Sequence, residues 1–141
     1  MSKYKTGFTC GAFDLTHAGH YLMFQECRKN CEKLVVGLQT DPSLDREYKH
    51  KPVQSTEERL IQLKACKWID RVVIYNTEAD LLAILKEEQI DVRFLGEDWK
   101  GKFFTGHELP IPIIYNSRDH EFSSSSLRDR IYKAEKSLRE K

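Results

Sequence analysis

A chain of 141 residues, 40% of them hydrophobic, is long enough to form one domain with a buried core, and we treat residues 1–141 as a single domain. Its 23 basic and 22 acidic side chains leave a net charge of +1, which gives no reason to expect nucleic acid or an acidic membrane as a partner. The sequence has no apolar run near the roughly 20 residues of a membrane span and shows no secretory signal, so we expect a cytoplasmic protein.

Strand and helix patterns alternate along the chain. The apolar run Gly7 to Cys10 predicts a first strand, and Tyr21 to Lys29 has the apolar spacing of a helix. The later predicted strands are 34–38, 71–75, 92–95 and 111–115, and the later predicted helices are 55–67, 79–88 and 125–138. This alternation predicts an α/β fold with a doubly wound, mainly parallel five-stranded sheet, in which ligands bind at the carboxyl ends of the strands.

The cysteines indicate structural thiols. Cys10, Cys27, Cys31 and Cys66 fall inside predicted strands and helices, and none forms a Cys-x-x-Cys pair. Cys27 and Cys31 share a helix face at positions i and i+4, which would offer two thiolates to a metal, but no second ligand pair accompanies them. We therefore expect reduced, buried cysteines and no metal site.

The segment Gly11 to His20, with the sequence GAFDLTHAGH, carries the strongest chemical signal in the chain. It leads from a predicted strand through glycine into a helix, so backbone N–H groups and the positive helix end meet where an anion can bind. His17 and His20 would face the same anion, and Gly19 would let the backbone approach a phosphate closely. Asp14 is better placed to cap the helix than to act as a catalytic base. The pattern predicts a site for triphosphate chemistry.

Three further segments add polar groups near predicted strand ends. The run Phe122 to Arg128, FSSSSLR, places hydroxyls and free backbone N–H groups at a helix start, which makes either an anion cradle or a flexible turn with an N-cap. Residues 40–54 are polar and basic, and residues 100–110 contain two glycines and several aromatic side chains. Both segments follow strands, where a pocket is expected.

Together these motifs resemble the small cytidylyltransferases of the nucleotidyltransferase superfamily, and within them most closely the glycerol-3-phosphate cytidylyltransferases. That group carries the motif GxFDxxHxGH near its N-terminus, which Gly11 to His20 matches. The helix around Glu57 to Arg59, the segment Leu95 to Phe103, and Arg118 followed by the serine run agree in order and spacing. The resemblance covers nearly the whole chain and implies a Rossmann-like nucleotidyltransferase fold and a homodimer.

The resemblance also implies roles for individual residues. His17 and His20 would stabilise the transition state, and Arg118 with the serine run would hold the leaving pyrophosphate. Lys49, Lys51 and Arg59 would close over the phosphates of both substrates. Asp98 would contact the nucleoside, and Trp99 would either stack on the base or seal the core beneath the loop. The implied nucleotide-binding set is Ala12, Phe13, Asp14, Gly19, Arg59, Gly96, Asp98, Trp99, Phe122, Ser123, Ser124 and Ser125.

The activity implied by the resemblance is transfer of CMP from CTP to a small phosphorylated alcohol, with sn-glycerol 3-phosphate as the first candidate. Magnesium would arrive with the CTP. Two departures from the group leave the acceptor and the dimer open: Lys67 stands where the group has an arginine before the dimer-forming stretch Trp68 to Val72, and residues 77–82 contain no lysine to match the one that binds glycerol phosphate.

The sequence leaves alternatives open. Within the same chemistry, ethanolamine phosphate or a sugar phosphate is an alternative acceptor. Lys51 to Val53 resembles a segment of heptose-phosphate adenylyltransferases, so ATP with a heptose or flavin phosphate is a further option. A chain that kept the pocket but lost turnover would be a nucleotide-binding module.

Overall fold

The computed structural model describes residues 4–46 and 48–141, which form a five-stranded parallel sheet with helices on both faces. The strands are β1 (Tyr4–Gly11), β2 (Cys31–Gln39), β3 (Arg71–Tyr75), β4 (Val92–Gly96) and β5 (Ile113–Asn116). The helices are α1 (Ala18–Lys29), α2 (Thr56–Lys64), α3 (Glu78–Glu87) and α4 (Ser124–Arg139). The predicted fold class is confirmed.

The sheet order is β3-β2-β1-β4-β5, with every neighbouring pair parallel. The chain winds outward from β1 to β3 and then crosses back to build β4 and β5 on the other side of β1. The strand order therefore reverses between β1 and β4. In sheets of this kind the crevice outside the carboxyl ends at the reversal is the usual place for a ligand.

Each face of the sheet has its own buried cluster. On one face Phe24 of α1 and Leu63 of α2 pack with Leu34 of β2. On the other face Leu81 and Leu85 of α3 pack with side chains that include Phe8, Val35 and Tyr75. Burial on both faces explains the continuous apolar run Leu34 to Val36 in β2, because neither face of the sheet is left to water there.

Several element boundaries differ from the predicted ones for local reasons. Helix α1 begins at Ala18, three residues before the predicted start, because His17 caps it. Helix α2 ends at Lys64, three residues early, while its predicted start is confirmed by a capping box between Ser55 and Glu58. Strand β5 begins only at Ile113, after Pro112, which has no N–H to give to a neighbouring strand.

The cysteine prediction needs one correction. Cys31 opens β2 rather than continuing α1, since the helix ends at Lys29 with Asn30 as its C-cap, so Cys27 and Cys31 do not share a helix face. All four thiols are free, and burial raises the pKa of Cys27 and of Cys31. In the described part of the chain no three His, Cys, Asp or Glu side chains are grouped to hold a metal, and no helix there has the length and apolarity needed to cross a membrane.

Candidate active site

A cavity of about 240 Å³ lies over the carboxyl ends of β1, β4 and β5. We call it the histidine cavity. Its walls come from the start of α1, from the end of β4 and from the segment between β5 and α4. They include His17, Gly19, His20, Gly96, Asp98, Trp99, Asn116, Arg118, His120, Phe122 and Ser124. Segments that are distant in the sequence and that were predicted to share one site therefore meet here.

The two motif histidines are fixed by hydrogen bonds at the start of α1. Nδ1 of His17 accepts from the backbone N–H of Gly19 (3.0 Å), and Nδ1 of His20 accepts from the backbone N–H of His17 (3.2 Å). In a neutral imidazole whose Nδ1 accepts, the proton is on Nε2. Each ring can therefore offer an Nε2–H to a ligand. The ring centroids are 4.0 Å apart, and Nε2 of His17 lies 3.2 Å from Oγ of Ser124.

The surroundings keep both rings neutral. The pKa of His20 is lowered to about 4, chiefly by burial and to a smaller extent by the neighbouring His17 and Arg118. Burial also lowers the pKa of His17, with contributions from His120, Arg118 and Arg130. At neutral pH the pair therefore supplies hydrogen-bond donors and no buried cation, an arrangement suited to charge that develops on a phosphate.

Gly19 leaves room for two neighbouring imidazole rings, in addition to letting the backbone come close to a ligand. A Cβ at this position would lie 2.9 Å from Cε1 of His17 and 2.9 Å from Cε1 of His120. The space that we expected a phosphate to approach is bordered by these two rings. Glycine is required here because any larger residue would push the imidazoles apart.

His120 is a site residue that the sequence analysis missed. It lies beside His17, and its Nδ1 accepts from the backbone N–H of Phe122 (3.1 Å), which again leaves Nε2 as the protonated nitrogen of the neutral ring. The Phe122 ring stacks on it with centroids 5.4 Å apart. No motif marks His120; its place two residues after Arg118 is the single available signal.

Asp14 was expected to cap α1, and the structure corrects this. The cap is His17, whereas the Asp14 side chain is 5% exposed and accepts from the backbone N–H groups of Val53 (2.8 Å) and Gln54 (2.9 Å) and from Arg128 (2.9 Å). Burial alone would raise the pKa of Asp14, but these hydrogen bonds lower it below its ordinary value. Asp14 thus ties the segment before α2 and helix α4 to the strand end.

Phe13 and Ala12 contact other side chains around the site. The Phe13 ring is buried against Phe24 and meets the edge of His20 at a centroid distance of 5.6 Å. Its backbone is in the left-handed region, with φ of 49°, a strained conformation for a side chain of this size. The carbonyl of Ala12 accepts from Arg59 (2.8 Å).

Arg59 does not have the surroundings of a phosphate clamp. Its side chain is 1% exposed, and all five of its N–H donors are engaged within the protein. They reach the carbonyls of Ala12, Gln39, Thr40, Gln54 and Ser55 and the hydroxyl of Thr56. The expectation of a phosphate contact is corrected: Arg59 joins the ends of β1 and β2 to the start of α2.

Asp98 and Arg118 form an exposed ion pair across the mouth of the histidine cavity, with 2.6 Å between Oδ2 and Nη1. Because both side chains are about half exposed, the pair is weak and is open to exchange for a charged ligand. Trp99 lies at the wall next to this pair and is not part of either buried cluster. We expected Trp99 either to stack on the base or to seal the core beneath the loop, and in the structure it lies at the cavity wall.

The serines of the serine run have different contacts. Oγ of Ser123 accepts from the backbone N–H of Ser126 (3.1 Å) and so caps α4. Ser124 faces His17, and Ser124 and Ser125 both line a second cavity. Both the N-cap and the anion cradle considered for this run are therefore compatible with the geometry, on different residues.

The second cavity, of about 540 Å³, adjoins the first and shares Cys10, His20, Leu95, Trp99 and Ser124 with it. We call it the arginine cavity, after Arg46, Arg93 and Arg128 in its walls; Lys49, His50, Glu78, Phe104 and Thr105 line it too. Both irregular segments that we expected near a pocket contribute to these walls. Lys51 is exposed on the same segment as Lys49 but lies outside both walls.

The sequence profile of the cytidylyltransferase-like family matches residues 8–130. The chain belongs to this family, which is one of nucleotidyltransferases. The predicted family resemblance is thereby confirmed at the level of the family, and the site just described occupies the matched region.

Two bacterial proteins illustrate the similarity. The chain is 36% identical over 108 residues to the Bifunctional protein HldE of Campylobacter concisus, a match that covers 76% of this chain and 23% of that protein. It is 39% identical over 108 residues to the protein of the same name from Paramagnetospirillum magneticum, covering 74% of this chain and 22% of the relative. The chain thus spans about a quarter of the length of these relatives.

A solved structure shares the fold. The lipopolysaccharide core biosynthesis protein from Thermoplasma volcanium superposes with a TM-score of 0.58 over 92% of this chain and 88% of that one. The sequence identity is 23%, so this likeness concerns the fold.

Proposed function

We propose that this nucleotidyltransferase transfers CMP from CTP to a small phosphorylated alcohol, with sn-glycerol 3-phosphate as the first candidate, and releases pyrophosphate. The observation that carries the proposal is the pair of neutral imidazoles, His17 and His20, which present Nε2–H donors in one cavity with Arg118 and the start of α4. Donors without buried charge and a helix N-terminus are suited to a triphosphate.

In the proposed reaction a phosphate oxygen of the acceptor attacks the α-phosphorus of CTP in line with the bridging oxygen to the β-phosphorus. The new P–O bond forms as the α–β bridge breaks, and the electron pair of that bond leaves with pyrophosphate. His17 and His20 donate hydrogen bonds to the α-phosphate oxygens and to the bridging oxygen, where negative charge increases. Catalysis then rests on positioning and charge stabilisation, with no covalent intermediate on the protein.

Other polar groups complete the proposed substrate contacts. Arg118 exchanges Asp98 for the leaving phosphates, and the N–H groups at Ser124 and Ser125 bind the same phosphates from the start of α4. Magnesium enters as part of the substrate, bound by triphosphate oxygens. Lys49, at the wall of the arginine cavity, is placed to neutralise phosphate charge, and Lys51 would have to move to do so.

The choice of CTP rests on the end of β4. Gly96 leaves open space, since no atom lies within 4 Å of where a Cβ would be, and Asp98 and Trp99 follow it at the cavity wall. Once Arg118 binds phosphate, the Asp98 carboxylate is free to accept from the amino group of cytosine or a ribose hydroxyl, while Trp99 offers a ring face to the base.

The second candidate keeps the chemistry and changes the substrates: ATP and a sugar phosphate. It is favoured by the likeness of Lys51 to Val53 to heptose-phosphate adenylyltransferases. A comparison of pyrophosphate release from CTP and from ATP separates the two candidates, and Asp98→Leu, which removes both acceptor oxygens, sharpens it. We expect CTP to be used and the variant to lose preference for CTP. Use of ATP alone, with no effect of Asp98→Leu, would overturn the assignment of CTP.

A further inference from the structure

The segment between β5 and α4 carries a histidine that has no role in the proposed function. His120 lies at the wall of the histidine cavity, two residues after Arg118 and four before Ser124, which line the same wall. The acidic residues on either side of it, Asp119 and Glu121, lie outside the walls of both cavities. The segment therefore directs hydrogen-bond donors to the cavity and keeps its carboxylates out of it, as expected for a site that binds an anion.

The His120 ring is held in one orientation. Its Nδ1 accepts from the backbone N–H of Phe122 (3.1 Å), and the Phe122 ring stacks on it with centroids 5.4 Å apart. The proton of the neutral ring is therefore on Nε2. His17 and His20 have the same arrangement, with a backbone N–H on Nδ1 and a donor at Nε2. All three rings thus present the same kind of donor.

Nε2 of His120 is open to a ligand. In the part of the chain that the structure describes, this nitrogen has no hydrogen-bond partner. The side-chain atoms there that are both buried and unpaired belong to Gln62, Arg93 and Asn116, so Nε2 of His120 is unpaired and accessible. A donor that is already oriented at a cavity wall can bind an acceptor without first giving up another partner.

The open side of the ring lies at the start of α1. Cε1 of His120, the atom next to Nε2, lies 2.9 Å from the position that a Cβ on Gly19 would take, and Cε1 of His17 lies at the same distance from that position. The two Cε1 atoms are thus no further apart than twice this distance. Nε2 of His17 in turn lies 3.2 Å from Oγ of Ser124. Two phosphates joined by one bridging oxygen can therefore contact His17 and His120 at the same time.

We propose that His120 is a third phosphate-binding imidazole, whose Nε2–H donates a hydrogen bond to the phosphates that leave as pyrophosphate. This inference rests on the proposed function, in which Arg118 and the start of α4 bind the same two phosphates. His17 and His20 remain on the α-phosphate, and His120 stabilises the negative charge that the leaving group gains as the α–β bridge breaks. His120 acts as a hydrogen-bond donor and keeps its proton, so the balance of the reaction is unchanged.

Two amide variants separate this role from a structural one. His120→Asn keeps an acceptor for the Phe122 N–H near the Nδ1 position and does not reach the place of the Nε2–H donor. His120→Gln has the longer amide, which places an N–H donor near the Nε2 position and removes the acceptor from the Nδ1 position. A purely structural role predicts that His120→Gln is the more damaged variant, whereas the phosphate contact predicts that His120→Asn is. His107→Asn is the matched control, because His107 lies outside both cavities.

The measurement is calorimetric titration of each protein with magnesium pyrophosphate and, separately, with CMP. We expect His120→Asn to raise the Kd for pyrophosphate by about tenfold or more, the loss of one hydrogen bond to a charged group, and His120→Gln to recover part of that loss. The Kd for CMP should stay within about twofold in every variant, and His107→Asn should equal wild type. An unchanged Kd for pyrophosphate in His120→Asn, an equal loss for CMP, or a greater loss in His120→Gln than in His120→Asn would overturn the inference.

These titrations do not require turnover, so the inference and the proposed function fail separately. A wild-type protein that releases no pyrophosphate from CTP with any acceptor contradicts the proposed function, whereas the Kd for added pyrophosphate still decides the role of His120. Absence of measurable pyrophosphate binding to wild type would overturn that role.

A second measurement needs no variant and replaces the first if His120→Asn does not fold, as judged by circular dichroism. Wild type is labelled with diethyl pyrocarbonate, which modifies accessible imidazoles, and the labelled histidines are identified by peptide mass spectrometry. Saturating magnesium pyrophosphate should protect His120 and leave His107 labelled. Equal labelling of His120 with and without pyrophosphate would overturn the inference.

Discussion

The chemistry of His17 and His20 is set by atoms of the backbone. Because N–H groups of Gly19 and His17 occupy the Nδ1 positions, each neutral ring has one tautomer, with its proton on Nε2. The same hydrogen bonds cap α1, so the helix start and the orientation of both rings depend on one another. A variant that tests the donors must therefore keep the cap.

We expect His17→Asn and His20→Asn each to lower kcat by about 100-fold or more, because the shorter amide keeps an acceptor near the Nδ1 position and does not reach the place of the Nε2–H donor. The Kd for CTP should change by no more than about threefold, since the donors act mainly in the transition state. His107→Asn is the matched control, because His107 lies outside both cavities. Steady-state kinetics with calorimetric CTP titrations measures both quantities, and near-normal kcat in either active-site variant would contradict the assignment.

The pKa of His20 makes a separate prediction for stability. Its value of about 4 in the folded protein lies below the ordinary value of about 6.5, so between these pH values the unfolded chain binds a proton that the folded protein does not. The free energy of unfolding should therefore rise with pH over this range, by about 2 kcal/mol from pH 5 to pH 7.5 for this residue.

Urea denaturation of wild type and of His20→Gln at both pH values measures this contribution. We expect the gain in stability on going to pH 7.5 to be smaller in the variant by about that amount. Equal pH dependence in the two proteins would show that His20 is not held neutral by the fold.

At the scale of elements, the site depends on how strand ends are joined to the segments that follow them. Arg59, on α2, binds the carbonyls after β1 and β2 and at its own helix start. Asp14, after β1, binds the segment before α2 and helix α4. These two buried side chains keep the start of α1 and the start of α4 in register, which is what places His17 opposite Ser124.

Arg59→Met should therefore act on stability. It leaves several buried carbonyls without donors, and we expect the free energy of unfolding to fall by about 3 kcal/mol, against about 0.5 kcal/mol for the exposed control Arg71→Met. Chemical denaturation monitored by circular dichroism measures both. If Arg59→Met instead unfolds like wild type but has a raised KM for CTP, Arg59 contacts a phosphate, as the family resemblance implies.

The elements were predictable from the sequence to different degrees, and the reasons are physical. β3 has the predicted bounds, because the apolar run Val72 to Tyr75 is flanked by the polar residues Arg71 and Asn76. The histidine motif was predictable because its spacing fixes local geometry at one helix start. The roles of Asp14 and Arg59 were not, since Asp14 binds Val53 and Arg59 binds Gln39, partners that only the tertiary fold brings near.

At the scale of the whole molecule, the edge of the sheet at β3 is open. Ile74 of β3 is 46% exposed and Ile61 of α2 is 61% exposed, and β3 and α2 pack against each other. Exposed isoleucines on an edge strand and the helix beside it are typical of a surface that another chain covers. The homodimer implied by the family resemblance thus remains a prediction, with this edge as its proposed interface.

Analytical ultracentrifugation tests the dimer. We expect wild type to sediment at about twice the chain mass of 16.6 kDa, and Ile74→Lys to shift it toward the monomer, because a lysine opposite its symmetry mate would be buried without a partner. Thr77→Ser is a conservative control that keeps the α3 cap. A wild-type protein that is monomeric at every concentration would rule out the dimer.

The proposed function has one central requirement: a nucleotide and a phosphorylated acceptor must react where the two adjoining cavities meet. The most direct measurement is ³¹P NMR of wild-type protein with CTP, magnesium and glycerol 3-phosphate. We expect equal amounts of pyrophosphate and CDP-glycerol, with no orthophosphate. Bound CTP that yields no pyrophosphate with glycerol 3-phosphate, ribose 5-phosphate or ethanolamine phosphate would contradict it and would describe a nucleotide-binding module instead.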